Sequence, residues 1–233
     1  MPFARWCFRG LSGCLTLFLA SGCVSYGSHL SATPTAPGQT EYSVAVDGLV
    51  LDRGFGPQVL PNPEASIRWG IARELDFGLR VNALGAEASS RIGLVQAERY
   101  RLTTVPLLGG GLVTATNQDT DLVTTTTGLV LLNGLLLGSR TELVVGLRGQ
   151  TRLGLNAVAV REDFAEATWS FVPGGSLGVR FPVSERFHLF PEVVVVVPYD
   201  LEEGDFESPI LQGGVAVEWG SRAPAMRAHS PPP

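Results

Sequence analysis

The sequence predicts an all-β fold: a closed antiparallel up-and-down β-barrel of about ten strands, within a range of about eight to twelve. Three observations predict it. From residue 40 onward hydrophobicity repeats every second residue rather than every 3.6. Glycine is frequent, at 28 of 233 residues, and β-branched residues are common beside it, which disfavours helix and favours strand. The connections between alternating runs are short on one side and mostly longer on the other, as in a barrel with a turn rim and a loop rim.

The alternation places strands at 40–51, 62–71, 75–84, 88–96, 102–116, 121–133, 140–151, 167–181, 186–198 and 208–219. The pattern is cleanest in 75–84, where Leu75, Phe77, Leu79, Val81 and Ala83 share one face and Asp76, Gly78, Arg80 and Asn82 the other. The preceding strand behaves alike, with Ala65, Ile67, Trp69 and Ile71 against Glu64, Ser66, Arg68 and Gly70. Ala72-Arg73-Glu74 joins the two at hairpin length. Leu143, Val145 and Leu147 oppose Glu142, Val144, Gly146 and Arg148. Trp169, Phe171, Leu177, Val179 and Phe181 oppose Ser170, Gly174, Ser176, Gly178 and Arg180. Phe187, Leu189, Val193, Val195 and Val197 oppose His188, Glu192 and Val194. In 102–116 the alternation blurs around Pro106 and Gly109-Gly110-Gly111, and the glycine run predicts a bulge or bend. Joins near 72–74, 97–101, 134–139 and 182–185 are short. Those near 52–61, 152–166 and 199–207 are longer and carry Pro, Asp and Glu.

Composition narrows the function classes. Charged residues make up 17% of the chain, net charge is −5, and lysine is absent. Soluble domains carry about 25% charged residues. No basic surface suggests a nucleic-acid partner.

The first 23 residues hold all three cysteines. Arg5 and Arg9 precede an apolar run from Leu11 to Ala20, too short to span a bilayer as a helix. Ala20-Ser21-Gly22-Cys23 resembles the lipobox of bacterial lipoprotein signal peptides, with Ala20 where Leu is usual. The resemblance implies a cleaved signal over 1–22 and a lipidated Cys23, hence a palmitate-bearing anchor. It also implies a mature chain without Cys7 and Cys14. Val24 rather than Asp follows the cysteine, which by the same resemblance favours the outer membrane. Residues 23–39 then read as the lipidated cysteine with a flexible tether rich in Ser, Thr, Gly and Pro. Residues 40–219 form the barrel, and 220–233 read as a disordered Pro-rich tail. An even strand number puts both ends of the barrel on the short-turn rim, which predicts a periplasmic N-terminus.

Alternation by itself does not say which face is outside, since a soluble barrel buries its apolar face and a membrane barrel exposes it. Absent lysine, a Gly- and Ser-rich polar face, and aromatic residues near strand ends favour the membrane form. Gln212, Gly214, Val217 and Trp219, on the last strand, resemble the terminal assembly signal of outer-membrane barrels. That resemblance implies a barrel-assembly machinery as partner, with membrane lipid around the barrel and at Cys23. The tail beyond Gly220 departs from the family pattern, which ends at the aromatic.

Ten charged residues fall on the polar face: Glu64, Arg68, Asp76, Arg80, Arg91, Glu142, Arg148, Arg180, Glu192 and Glu218. A barrel of about ten strands is nearly filled by its own side chains, so these are expected as a paired lumen network. His188 is the one histidine expected inside the fold, with His29 in the tether and His229 in the tail. One histidine makes neither a catalytic pair nor a metal site. The acidic run Asp200 to Asp205 lacks the spacing of a Ca²⁺ loop. No catalytic residue, cofactor or metal ligand is expected. The functional expectation is a lipid-anchored outer-membrane barrel, not an enzyme, with a structural, narrow-channel or surface-binding role. Two alternatives are a tethered periplasmic lipocalin-like carrier of a hydrophobic ligand and a barrel enzyme acting on envelope lipids through His188.

Overall fold

The computed structural model describes residues 26–52, 57–83, 85–115, 120–138, 140–156 and 167–220. The segment expected as a cleaved signal, Cys23 and the tail from residue 221 lie outside the described residues. In chain order the strands are β1 (Thr40–Asp52), β2 (Pro57–Ala72), β3 (Leu75–Asn82), β4 (Gly85–Gln96), β5 (Tyr100–Ala115) and β6 (Thr120–Leu136). They continue as β7 (Glu142–Asn156), β8 (Ala167–Pro182), β9 (Phe187–Val196), β10 (Tyr199–Asp200) and β11 (Ile210–Gly220). Sequential neighbours pair antiparallel from β1 to β9; β9 pairs β11, and β11 returns to β1 through ten register pairs from Glu41↔Gly220 to Val50↔Leu211. Ten strands therefore close into a barrel. The eleventh, β10, is a two-residue extension laid on β8 by a loop.

Strands are longer than the alternation predicts where a proline interrupts it. β2 begins at Pro57 and carries Pro61 and Pro63. It pairs β1 from Pro57 to Trp69 but meets β3 only from Glu64 onward. Residues 57–63 are thus an edge, where a missing N–H breaks no second ladder. The loop expected over 52–61 shrinks accordingly. Pro106 acts similarly: β4 and β5 pair on either side of it, at Ser89↔Leu107 and Ile92↔Thr104, with no pair between. The glycine run 109–111 is no bulge, because it pairs in unbroken register with Gly85–Glu87 and Thr124–Thr126. The register shifts are at Gly70/Ala72 and Gly93/Val95.

The apolar face points outward. Leu79 is 44% exposed and Leu147 58%, and Val81, Val145, Leu177, Val193 and Val215 are exposed with them. Asp76 and Arg91, on the opposite face, are fully buried. Aromatic residues ring the short-turn rim: Tyr42 stacks on Trp219 at 5.9 Å, Trp219 lies 6.5 Å from Phe187, and Trp69 stacks on Phe77 at 6.1 Å.

One wall of the lumen is also apolar. Val105, Leu107, Val130, Leu132, Val144 and Phe190 point inward from β5, β6, β7 and β9. The unbroken run Leu129-Val130-Leu131-Leu132 has this cause, since both of its faces meet apolar surroundings.

The largest departure from expectation lies before β1. Residues 26–39 are no free tether. The chain reverses at the short-turn rim and runs up inside the barrel. Gly38 donates to the Gly70 carbonyl at that rim, and Gly70 donates back to Gln39, both at 3.0 Å. At the other end Tyr26 packs with Leu49, Val172, Val194 and Val196, near the long-loop ends of their strands.

Candidate functional site: a lumen filled by the chain's own segment

An extended segment inside a barrel has no neighbouring strand, yet its backbone groups still need partners. Lumen side chains supply them. Gln212 Oε1 accepts from Tyr26 N–H at 2.8 Å. Glu192 Oε2 accepts from Ser28 N–H at 2.8 Å and His29 N–H at 2.7 Å, while its Oε1 accepts from the Ser28 hydroxyl at 2.9 Å. Glu142 accepts from Ala32 N–H at 3.1 Å and Asp76 from Thr35 N–H at 2.7 Å. Arginines take the carbonyls: Arg148 donates to Tyr26 O, Arg80 to Gly27 O and Arg91 to Ser31 O. The Thr103 hydroxyl donates to Ala32 O.

Small wall residues make the room. A Cβ on Gly70 would strike the Ala36 carbonyl, one on Gly214 would strike the Asp47 carboxylate, and one on Gly134 would lie 2.7 Å from Ala32 Cβ. Ala32 itself is fully buried against Val105, Val130 and Phe190.

Of the ten charged residues named from sequence, nine are buried, and the Arg80 side chain is 10% exposed. They are brought together as local groups rather than one network. At the short-turn end Asp76 receives Arg68 and Arg91, at 2.9 and 2.7 Å, and Arg91 also reaches Glu41 at 3.2 Å. Arg180 pairs with Glu218. Higher in the lumen Arg80 pairs with Glu87 at 2.8 Å and approaches Glu64 at 3.8 Å. Arg148 Nε and Nη2 have no hydrogen-bond partner.

His188 is inward and buried, opposite Glu218 in register. At the short-turn rim it lines a cavity of about 190 Å³ with Thr35, Glu41, Arg180 and Trp219. In the acidic loop Asp200 Oδ1 accepts from Glu202 and Glu203 N–H at 2.7 and 3.0 Å, so this carboxylate closes its own turn. Of the residues matching an assembly signal, Gln212 is buried in the lumen, Gly214 lies against Asp47, and Trp219 joins the aromatic rim.

Sequence reading missed His29. It is 4% exposed, inside the barrel, and its backbone is left-handed at φ 41°. That is uncommon for a residue with a Cβ, though histidine is among those that adopt it more readily. Nδ1 lies 3.1 Å from the Phe190 carbonyl and Nε2 2.7 Å from Asp47 Oδ1. Glu64 Oε1 is 3.9 Å from Nε2, and Glu192 Oε2 is 3.8 Å from Nδ1. Asp47, also unflagged, receives Gln212 Nε2 on its other oxygen at 2.6 Å. The signal available was the lone inward Asp in the apolar strand β1; the signal for His29 was hidden by its polar, Pro-rich surroundings.

No family model and no curated protein matches this chain. Several solved structures are similar to it. The outer membrane protease OmpT from Escherichia coli is 9% identical, covers 83% of this chain and 98% of its own, and has a TM-score of 0.39. Neisserial surface protein A is 11% identical, covering 79% and 96%, with a TM-score of 0.37. The translocator domain of the autotransporter NalP from Neisseria meningitidis is 12% identical, covering 93% and 97%, with a TM-score of 0.38. At such identities these likenesses say nothing of activity.

Removing Glu192 leaves two segment N–H groups and the Ser28 hydroxyl without their acceptor. Breaking a buried charged contact costs about 3–5 kcal/mol, whereas an exposed surface change is usually within about 0.5 kcal/mol. Urea unfolding in detergent micelles should therefore separate Glu192→Ala from Glu202→Ala by several kcal/mol. Comparable midpoints would mean that the lumen contacts contribute little.

Proposed function

We propose that this chain is an outer-membrane β-barrel, closed from within by residues 26–39, with a structural or surface role rather than that of an open pore or an enzyme. The observation that carries this reading is the pairing of an apolar exterior with a charged lumen filled by the chain itself. A soluble carrier needs the reverse: a solvated exterior and an apolar lumen left for its ligand. An enzyme acting on membrane lipids through His188 needs that residue within reach of lipid, and His188 faces inward. The lipobox resemblance supports an acyl anchor on Cys23, and the terminal resemblance supports Gln212, Gly214, Val217 and Trp219 as the segment read by the assembly machinery.

Three experiments test the parts separately. For the facing, Leu79→Arg puts a charge into lipid, at a cost of about 2–4 kcal/mol at mid-bilayer, while Asn82→Arg points inward. Folding into liposomes should be impaired far more by the first; equal impairment contradicts a lipid-facing Leu79. For the closed lumen, wild-type protein in planar bilayers should carry no steady current, and Glu192→Ala, by loosening the inner segment, should produce intermittent openings. A constant ohmic pore from wild type overturns the closed reading. For the anchor, palmitate labelling in cells should vanish in Cys23→Ser; label that persists removes Cys23 as the acylated residue.

A further inference from the structure

The group around His29 is built unlike the other charge groups of the lumen. Elsewhere carboxylates meet arginines. Here three carboxylates, from Asp47, Glu64 and Glu192, converge on one imidazole, with Arg80 3.8 Å from the far oxygen of Glu64. The divisions of labour among them are clear. Glu192 is committed to the segment's backbone, taking two successive N–H groups and the Ser28 hydroxyl. Asp47 and Glu64 face Nε2 of His29, and the three ligand atoms lie within 4.8 Å of one another.

Both ring nitrogens face oxygen acceptors, so Nε2 carries a proton donated to Asp47 Oδ1 at 2.7 Å, and an ion bound there would displace it. A backbone carbonyl only accepts, so Nδ1, at 3.1 Å from the Phe190 oxygen, carries its proton and donates. A backbone partner on Nδ1 that turns Nε2 toward carboxylates is the usual outer arrangement of a metal-binding histidine. Asp47 is oriented in the same manner by Gln212 Nε2. A further oxygen stands nearby. Asn62 is directly opposite Asp47 in the β1–β2 register, is buried, and has no hydrogen-bond partner on Oδ1. The backbone strain at His29 belongs to the same place: it is the one non-glycine residue with positive φ among the described residues. Such strain persists only where the surroundings hold it, and it gathers at functional positions.

We propose that His29 Nε2, Asp47 and Glu64 form a divalent transition-metal site inside the barrel, with Asn62 Oδ1 completing the donor set. One imidazole with oxygen donors suits Zn²⁺ better than Ca²⁺ or Mg²⁺, which favour oxygen alone. Tetrahedral Zn²⁺ holds ligand atoms about 3.3 Å apart. The 2.7 Å contact between His29 and Asp47 therefore opens, and the 3.9 Å gap to Glu64 closes, each by about half an ångström. The ion would join the inner segment to β1 and β2 at mid-lumen, so that loading tightens the closure of the barrel.

The full chain, folded in detergent and dialysed against Zn²⁺, is assayed for bound metal by mass spectrometry and for its thermal midpoint with and without the ion. One Zn²⁺ per chain and a raised midpoint are expected for wild type. His29→Gln, which lies outside every strand and leaves the barrel ladder intact, is expected to weaken retention at least about tenfold and to abolish the thermal shift. Glu64→Gln gives a second reading should His29→Gln fail to fold, judged by heat-modifiable migration. His188→Gln is expected to bind as wild type does. The cysteines and His229 are common to all variants, so metal held by them cancels in the comparison. Folded wild type without stoichiometric Zn²⁺, or equal retention by wild type, His29→Gln and Glu64→Gln, overturns the site.

Discussion

The structure depends on one requirement: a stretch of backbone placed where no strand can reach it must still be hydrogen-bonded. Residues 26–36 lie inside a closed sheet whose own N–H and C=O groups are consumed by its ladders. The lumen side chains take over the work of a neighbouring strand. Carboxylates of Glu192, Glu142 and Asp76 and the amide of Gln212 accept from the segment's N–H groups. Guanidinium groups of Arg148, Arg80 and Arg91 donate to its carbonyls. A buried ion pair by itself adds little, because desolvation offsets the attraction. A buried charge that also satisfies backbone groups removes a second penalty, the several kcal/mol of an orphaned peptide group. This explains why so many charges are tolerated in so narrow a space.

The same segment accounts for the uneven lining of the lumen. Where its backbone needs partners the wall is charged, along β1 to β4 and at Glu142, Glu192 and Glu218. Where Tyr26 and Ala32 need packing the wall is apolar, along β5 to β9 and at Leu49 of β1. Glycines at 70, 134 and 214 stand where the segment, or the Asp47 carboxylate that meets it, approaches the wall most closely. Barrel and segment are two parts of one core.

Period-two patterning made the strands legible before any coordinates. Leu79 outside and Asp76 inside follow directly from the pleat, and strand ends lie within a few residues of their expected places except at the start of β2, where prolines intervene, and at the end of β7, which runs on to Asn156. β2 was cut short at residue 62 because Pro57 and Pro61 look like loop residues, and only the stagger between β1 and β3 reveals that this stretch is an edge. Trp219, Trp69 and Phe187 could be assigned to a rim, since position along a strand gives height in a barrel. The ten lumen charges were legible by face, but not by partner: which carboxylate meets which arginine depends on shear between strands.

The segment before β1 was not legible at all. Ser, Thr, Gly and Pro at 24–39 have the composition of a linker, because a segment wrapped by charged walls needs no hydrophobic pattern of its own and no periodicity. His29 vanished with it, and so did the role of Asp47 as more than an incidental charge in a strand. Local sequence therefore determined the strands, their faces and the closed β architecture, since alternation is a property of neighbouring residues. The tertiary structure alone decided what fills the barrel, because filling a lumen joins residues as distant as Tyr26 and Gln212, and no local pattern carries that distance.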